Sequence, residues 1–164
     1  MWTKTRQILE SRLADSLKKR VHYTYDVYRT KGCKQKPHWF TETLVFTILV
    51  DKKPWFCSNP RFYFDEVRKG QTIEDDNDVI KQTGFVPNDT SEITYHIHNF
   101  LNVLSIDESF ENDNYFIRLL ALLDKKIGKR RIQKLVDNID KEPEWFRKWI
   151  LLRAEELNQK IDKE

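Results

Sequence analysis

The sequence predicts an α+β fold: an N-terminal helix, a small antiparallel β-meander of three to four strands, then a C-terminal half of four to five helices. Three observations carry this expectation. Leu9, Leu13 and Leu17 recur every four residues, which is one face of a helix. Residues 21–28 alternate strictly between apolar and polar, and turn-prone links follow them, as in strands joined by hairpins. From Ile93 onward the apolar residues return to three-and-four spacing, punctuated by capping residues and one proline.

The first helix is expected over Thr3–Lys19, with Ile8 beside the leucines and Arg6, Glu10, Arg12, Lys18, Lys19 and Arg20 on the other sides. An outer helix packed on a sheet explains this pattern without any function. Val21, Tyr23, Tyr25 and Val27 then point one way, and His22, Thr24, Asp26 and Tyr28 the other, as in a half-buried strand. A basic loop spans 31–37, a second strand Phe40–Val50, a turn 51–54, and a short third strand Trp55–Cys57. These links are too short for parallel crossovers, so the pairing is antiparallel. Residues 58–90 carry little periodicity. Phe62, Tyr63 and Phe64 suit a further strand or a short helix, the acidic run Glu74–Asp78 suits a loop, and 87–91 suit a turn into a helix cap.

In the C-terminal half, Ile93, Ile97, Phe100, Leu101 and Leu104 form one helical face. Ser105 with Glu108 three residues on fits a capping box, opening a short helix to Phe110. Asn112–Asn114 break the chain before a helix that turns Phe116, Leu120, Leu123 and Ile127 inward, with Gly128 expected as a left-handed C-terminal cap. The next helix carries Ile132, Leu135, Val136 and Ile139. Pro143 opens the last, which buries Trp145 or Phe146, Trp149, Ile150, the stem of Arg153, and Leu157.

A chain of 164 residues fits a single domain, 1–164, divided into helix plus sheet (about 1–67), an irregular segment (about 68–90) and a helical part (about 91–160). Apolar residues at 39% suffice for one core, and charged residues at 34% for a well-solvated surface. The longest apolar run, Leu44–Val50, is far short of the roughly 20 residues that span a bilayer. The N-terminus lacks a secretion-type apolar segment, and two cysteines make no disulfide framework, so the expected location is the cytoplasm with no membrane contact.

Five features are candidates for chemistry. Lys125, Lys126, Lys129, Arg130, Arg131 and Lys134 place six cations within ten residues beside Gly128. At a helix start, such cations and free backbone N–H groups suit a phosphate or a nucleic-acid backbone. The structural alternative has Lys125 and Lys126 complementing the dipole of the helix they end, and Arg130 and Arg131 paired with Asp124 or with acids at 107–113. Residues 1–36 hold ten Lys and Arg against three Asp and Glu, near Tyr23, Tyr25 and Tyr28. Tyr23 and Tyr25 share a face with Val21 and Val27, so core packing fits them better than base stacking. His96 and His98, two apart on a helix, point about 160° apart and do not share a metal. His22 and His38 add no ligand set, and no metal is expected. Cys57 reads as a small core residue, whereas Cys33 between Lys31 and Lys34 has cations that favour a thiolate. Glu74, Asp75, Asp76 and Asp78 lack calcium-loop spacing. Phosphate-loop, dinucleotide and serine-elbow motifs are absent, so no cofactor is expected.

Several segments resemble a small bacterial family catalogued after a Shigella locus rather than an activity. They are Trp2–Lys4 with Leu9–Lys18 and Arg20-Val21, then Leu104–Ser109, then the Asp113-Asn114 turn with Leu122–Ile132, and finally Phe146–Glu155. They cover both ends and about half the chain, and Asp124–Arg131 is the most specific piece. The resemblance implies a bacterial, stand-alone cytoplasmic protein and transfers no catalytic residue. Charged patches without catalytic motifs favour a non-enzymatic binding or accessory protein that meets a protein partner. The alternatives are phosphate or nucleic-acid binding at 125–134, and an enzyme with a pocket between sheet and helices.

Overall fold

The computed structural model describes residues 2–29, 42–58 and 90–161, with side chains described for 2–26, 45–58 and 93–158. It opens on helix α1 (Trp2–Arg12), which is shorter than the leucine spacing predicts. Leu13 instead sits in an isolated antiparallel bridge with Asp124. The backbone explains the early stop. The Arg12 carbonyl accepts Lys125 N–H at 2.8 Å, and Ala14 N–H donates to the Leu123 carbonyl at 3.1 Å. These groups bond sideways, to a distant segment, instead of continuing the helix. Residues 15–20 then form turns. Leu9, Leu13 and Leu17 are still all buried, each contributing about 1.5–3 kcal/mol by leaving water. Ile8, expected beside them, stays exposed.

Strands β1 (Val21–Arg29), β2 (Glu42–Val50) and β3 (Lys53–Cys57) form an antiparallel sheet in the order β1-β2-β3. The alternation sets the register: Val21 opposes Val50, Tyr23 opposes Ile48 and Tyr25 opposes Phe46, and the buried members of these pairs line one core face. The β2–β3 turn is tighter than expected. Asp51 and Lys52 alone make it, with φ of 51° and 68°, the left-handed pair that matches strand twist in a two-residue hairpin. Lys53 and Pro54, expected in the turn, therefore begin β3, opposite Val50 and Leu49. Among the described strands β3 lies at an edge, where a proline is tolerated. The basic loop 31–37 and the start of the expected second strand lie outside the described residues. So do Cys33, His38, the 62–64 aromatics and the acidic run at 74–78.

Among the described residues five α-helices follow: α2 (Thr90–His98), α3 (Ile106–Phe110), α4 (Tyr115–Leu123), α5 (Lys129–Asp137) and α6 (Glu144–Ile161). α2 runs on into a wider π turn, Asn99–Val103, closed by Leu104 N–H to the Asn99 carbonyl at 2.9 Å. The capping box forms as expected: Ser105 N–H donates to Glu108 at 2.8 Å, and Glu108 N–H to Ser105 Oγ at 3.2 Å. Asn114 Oδ1 caps α4 by accepting the Phe116 and Ile117 N–H groups. Gly128 is not the left-handed cap of α4. Helix α4 ends at Leu123, and Gly128, at φ −88° and ψ 172°, is the extended N-terminal cap residue of α5.

Sheet and helices share one cluster of buried residues running from Leu9 to Leu152. Phe46 of β2 is its hinge point, edge-on to Phe116 of α4 at 5.5 Å and to Trp2 of α1 at 5.9 Å. No described helix is long and apolar enough to cross a membrane.

Candidate functional site

The α4–α5 connection, residues 124–128, is fastened from two sides. On one, the buried Asp124 carboxylate accepts Arg12 Nε at 2.7 Å and Lys126 N–H at 2.8 Å. Arg12 also donates to the Phe100 carbonyl at 3.1 Å and stacks over the Phe100 ring at 4.1 Å. On the other, Arg153 of α6 is buried whole, not by its stem alone. It donates to the Leu122 carbonyl and to the Ile127 carbonyl, both at 2.9 Å, and pairs with Glu156. Burial pushes the Arg153 guanidinium down to about 10, a value at which the group still carries its charge at neutral pH. Three of the segments that carry the family resemblance therefore converge here: the end of α1, the 122–132 string and the last helix through Arg153.

This frame sorts the six cations. Lys125 turns back to α1, where Nζ donates to the Ser11 carbonyl at 3.2 Å. The helix dipole it complements is that of α1, not that of α4. Arg131 pairs with Asp107 and lies near the Phe110 ring. Asp124 is taken by Arg12 and pairs with neither Arg130 nor Arg131. Lys126, Lys129, Arg130 and Lys134 are exposed, and among the described residues their side chains have no ion-pair partner. Lys129, Arg130 and Lys134 share one open face of α5 with Gln133 and Asp137, while Ile132 is buried on the opposite side.

The start of α5 is electrostatically odd. Its first turn is Lys129-Arg130-Arg131, it has no acidic residue there, and its cap residue is a glycine with no side-chain bond. Helix starts favour acids and polar caps, because the N–H ends carry partial positive charge. A concentration of cations at this end works against local helix stability and raises the positive potential outside it.

The remaining candidates separate. His96 and His98 lie on α2 and serve different partners. His96 Nε2 meets Asn114 Nδ2 at 3.2 Å, and His98 Nδ1 meets Asn102 Nδ2 at 3.2 Å. Burial holds the His96 imidazole below its ordinary pKa. No group of three or more metal-ligating side chains occurs among the described residues. His22 lies 3.7 Å from Glu10. Tyr23 is buried against Phe46, with rings stacked at 6.0 Å, and is not a stacking platform. Tyr25, on the same face, is only partly covered. Cys57 is half-buried near Thr47 Oγ1, at 3.8 Å.

One concavity was not legible in the sequence. A cavity of about 260 Å³ lies between α1, β1 and the α2 π turn. Its residues come from three distant segments, and the π turn that shapes it leaves no pattern in the residue types.

The sequence model of the SF0329 protein family matches residues 1–154, and the chain belongs to that family. The match runs through the middle of the chain as well as the two ends. No curated protein and no solved structure matches it.

Proposed function

We propose that this member of the SF0329 protein family is a non-enzymatic binding protein that docks the basic face of α5 against an acidic segment of a protein partner. The observation that carries the reading is the first turn of α5, three cations with neither an acid nor a side-chain cap. Local rules are most often broken where a site has another use for the residues. The outward cations Lys129, Arg130 and Lys134 span only two turns of one helix and are interrupted by Gln133 and Asp137. A short acidic protein segment matches that extent better than a long polyanion does, and the net charge of +3 is modest for a nucleic-acid binder. The same reading takes the protein as bacterial and cytoplasmic, in line with its resemblance.

The test is affinity purification of the intact chain from its native cell. The expected result is a stoichiometric protein partner that elutes with rising salt and is lost with Lys129→Glu/Arg130→Glu. Recovery of the chain without a stoichiometric partner overturns the proposal.

A second reading, binding of a phosphate or nucleic-acid backbone, is favoured by the same helix start, whose cap residue supplies no side-chain acceptor for its N–H groups. It predicts retention on heparin and salt-sensitive RNA or DNA binding that the same double variant weakens. Absence of binding at low salt ends it.

A further inference from the structure

We infer that the cavity between α1, β1 and the α2 π turn binds a small, uncharged, planar heteroaromatic compound of the size and polarity of a free nucleobase. Its volume of about 260 Å³ falls just under the roughly 300–1,000 Å³ typical of drug-sized ligands. The occupant is thus one or two rings rather than a polymer.

The walls are aromatic and aliphatic. Trp2 and Tyr25 lie 5.2 Å apart with planes tilted 33°, braced from behind by Phe46. Ile97 and Leu101 complete the apolar surface. Flat rings fill such a surface with favourable offset or edge contacts.

The polar lining groups are Thr5, Thr94 with the Tyr25 hydroxyl 3.5 Å from it, and a pair held by the π turn. Asn102 Nδ2 reaches both His98 Nδ1, at 3.2 Å, and the His98 carbonyl, at 3.1 Å. Its two hydrogens are thereby used. With Nδ1 accepting, the neutral His98 ring carries its proton on Nε2. The pair therefore offers one donor, His98 Nε2–H, and one acceptor, Asn102 Oδ1, and among the described residues neither has a partner. Because Asn102 holds the Nδ1 side of the ring, Nε2–H points away from Asn102 Oδ1, so a heteroaromatic ring with polar atoms on separate edges meets the two groups one at a time. Among the described residues, no lysine, arginine or carboxylate lines the cavity, so these residues offer no counter-charge to a phosphate or carboxylate on the ligand.

The experiment is calorimetric titration of the full chain. The probes are adenine, guanine, hypoxanthine and uracil, with naphthalene as a flat control lacking hydrogen bonds and adenosine monophosphate as a charged one. The expected result is saturable 1:1 binding of at least one base, with naphthalene and the monophosphate at least about tenfold weaker. Asn102→Leu should weaken the base about tenfold, the cost of one good hydrogen bond. Asn102 and His98 are both exposed, so His98→Leu replaces it should that variant fail to fold. Lys19→Gln, exposed and outside the cavity lining, should leave the affinity unchanged. Three outcomes overturn the inference: no saturable binding of any base, naphthalene binding as tightly, or unchanged affinity in a folded Asn102→Leu or His98→Leu variant.

Discussion

Arg12 and Asp124, separated by 112 positions in the chain, meet at 2.7 Å, and the carboxylate is 1% exposed. Around that pair the end of α1 and the α4–α5 connection exchange backbone hydrogen bonds. The N-terminal helix is thereby tied to the helical half independently of the sheet. Arg12→Met would leave the carboxylate buried without its guanidinium, at a cost of about 3 kcal/mol. The double variant Arg12→Met/Asp124→Leu should cost less than the two single changes added together, by about 1–2 kcal/mol. Urea unfolding of the four proteins checks this, and strict additivity would show that the pair is not energetically coupled.

His96 predicts a pH dependence. Asn114 Oδ1 is committed to capping α4, so its Nδ2 group faces His96 Nε2, which must accept and hence be unprotonated. Burial also lowers the pKa of the ring from its ordinary 6.5. The unfolded chain therefore takes up the proton first. The contribution of His96 is complete above about pH 6.5 and is lost as pH falls through the depressed folded value. The acids with lowered pKa, Asp51 and Glu108, lose their contributions in a more acidic range. In melting curves recorded from pH ~7 to ~5, the decline should be flatter in His96→Gln than in the parent chain. Parallel curves would exclude the Asn114–His96 arrangement.

The β2–β3 turn is a site of local strain. Lys52 holds φ 68° and Asp51 holds φ 51°, and Arg20 grips the Asp51 carboxylate at 2.7–3.2 Å. Aspartate tolerates the left-handed region better than lysine does, and glycine occupies it freely. Lys52→Gly should raise stability by about 0.5–1 kcal/mol in thermal or urea unfolding, because Asp-Gly is a preferred pair for this turn. Asp51→Ala should lower stability, through both the strained φ and the lost contact with Arg20.

What was legible in the sequence was local. Ser105 and Glu108 lie three residues apart and need nothing else to form their capping box. The alternation of Val21, Tyr23 and Tyr25 specifies a face whatever covers it. Apart from the β2–β3 turn, the misread positions depend on partners far along the chain. Helix α1 stops at Arg12 because residues 123–125 take its backbone groups. Gly128 resembles a helix-ending glycine in sequence, but Asp124 ends α4 first, drawn aside by Arg12. Which cations of the 125–134 string face outward followed the same rule. The 129, 130 and 134 spacing marks one helix face by itself, whereas the attachment of Lys125 to Ser11 and of Arg131 to Asp107 depends on tertiary contacts. The Asn102–His98 pair was hidden for a related reason, since the two residues become a donor and acceptor set only in the π turn.

The start of α5 makes the last prediction, in which stability and binding move in opposite directions. Lys129 and Arg130 occupy the first positions of a helix with no acid in its first turn, where positive charge is disfavoured. Both are exposed, so their replacement disturbs no packing. Lys129→Glu should raise stability by about 0.3–1 kcal/mol at low ionic strength, with a smaller gain at high salt because the effect is screened. The same change should weaken docking of an acidic partner. Thermal unfolding at two salt concentrations measures the first effect, and salt-dependent co-purification the second. A variant that loses stability would show that Lys129 has a structural partner. A variant that gains stability and keeps its partner would remove the basic face of α5 from the interface, and with it the reason for cations at that helix start.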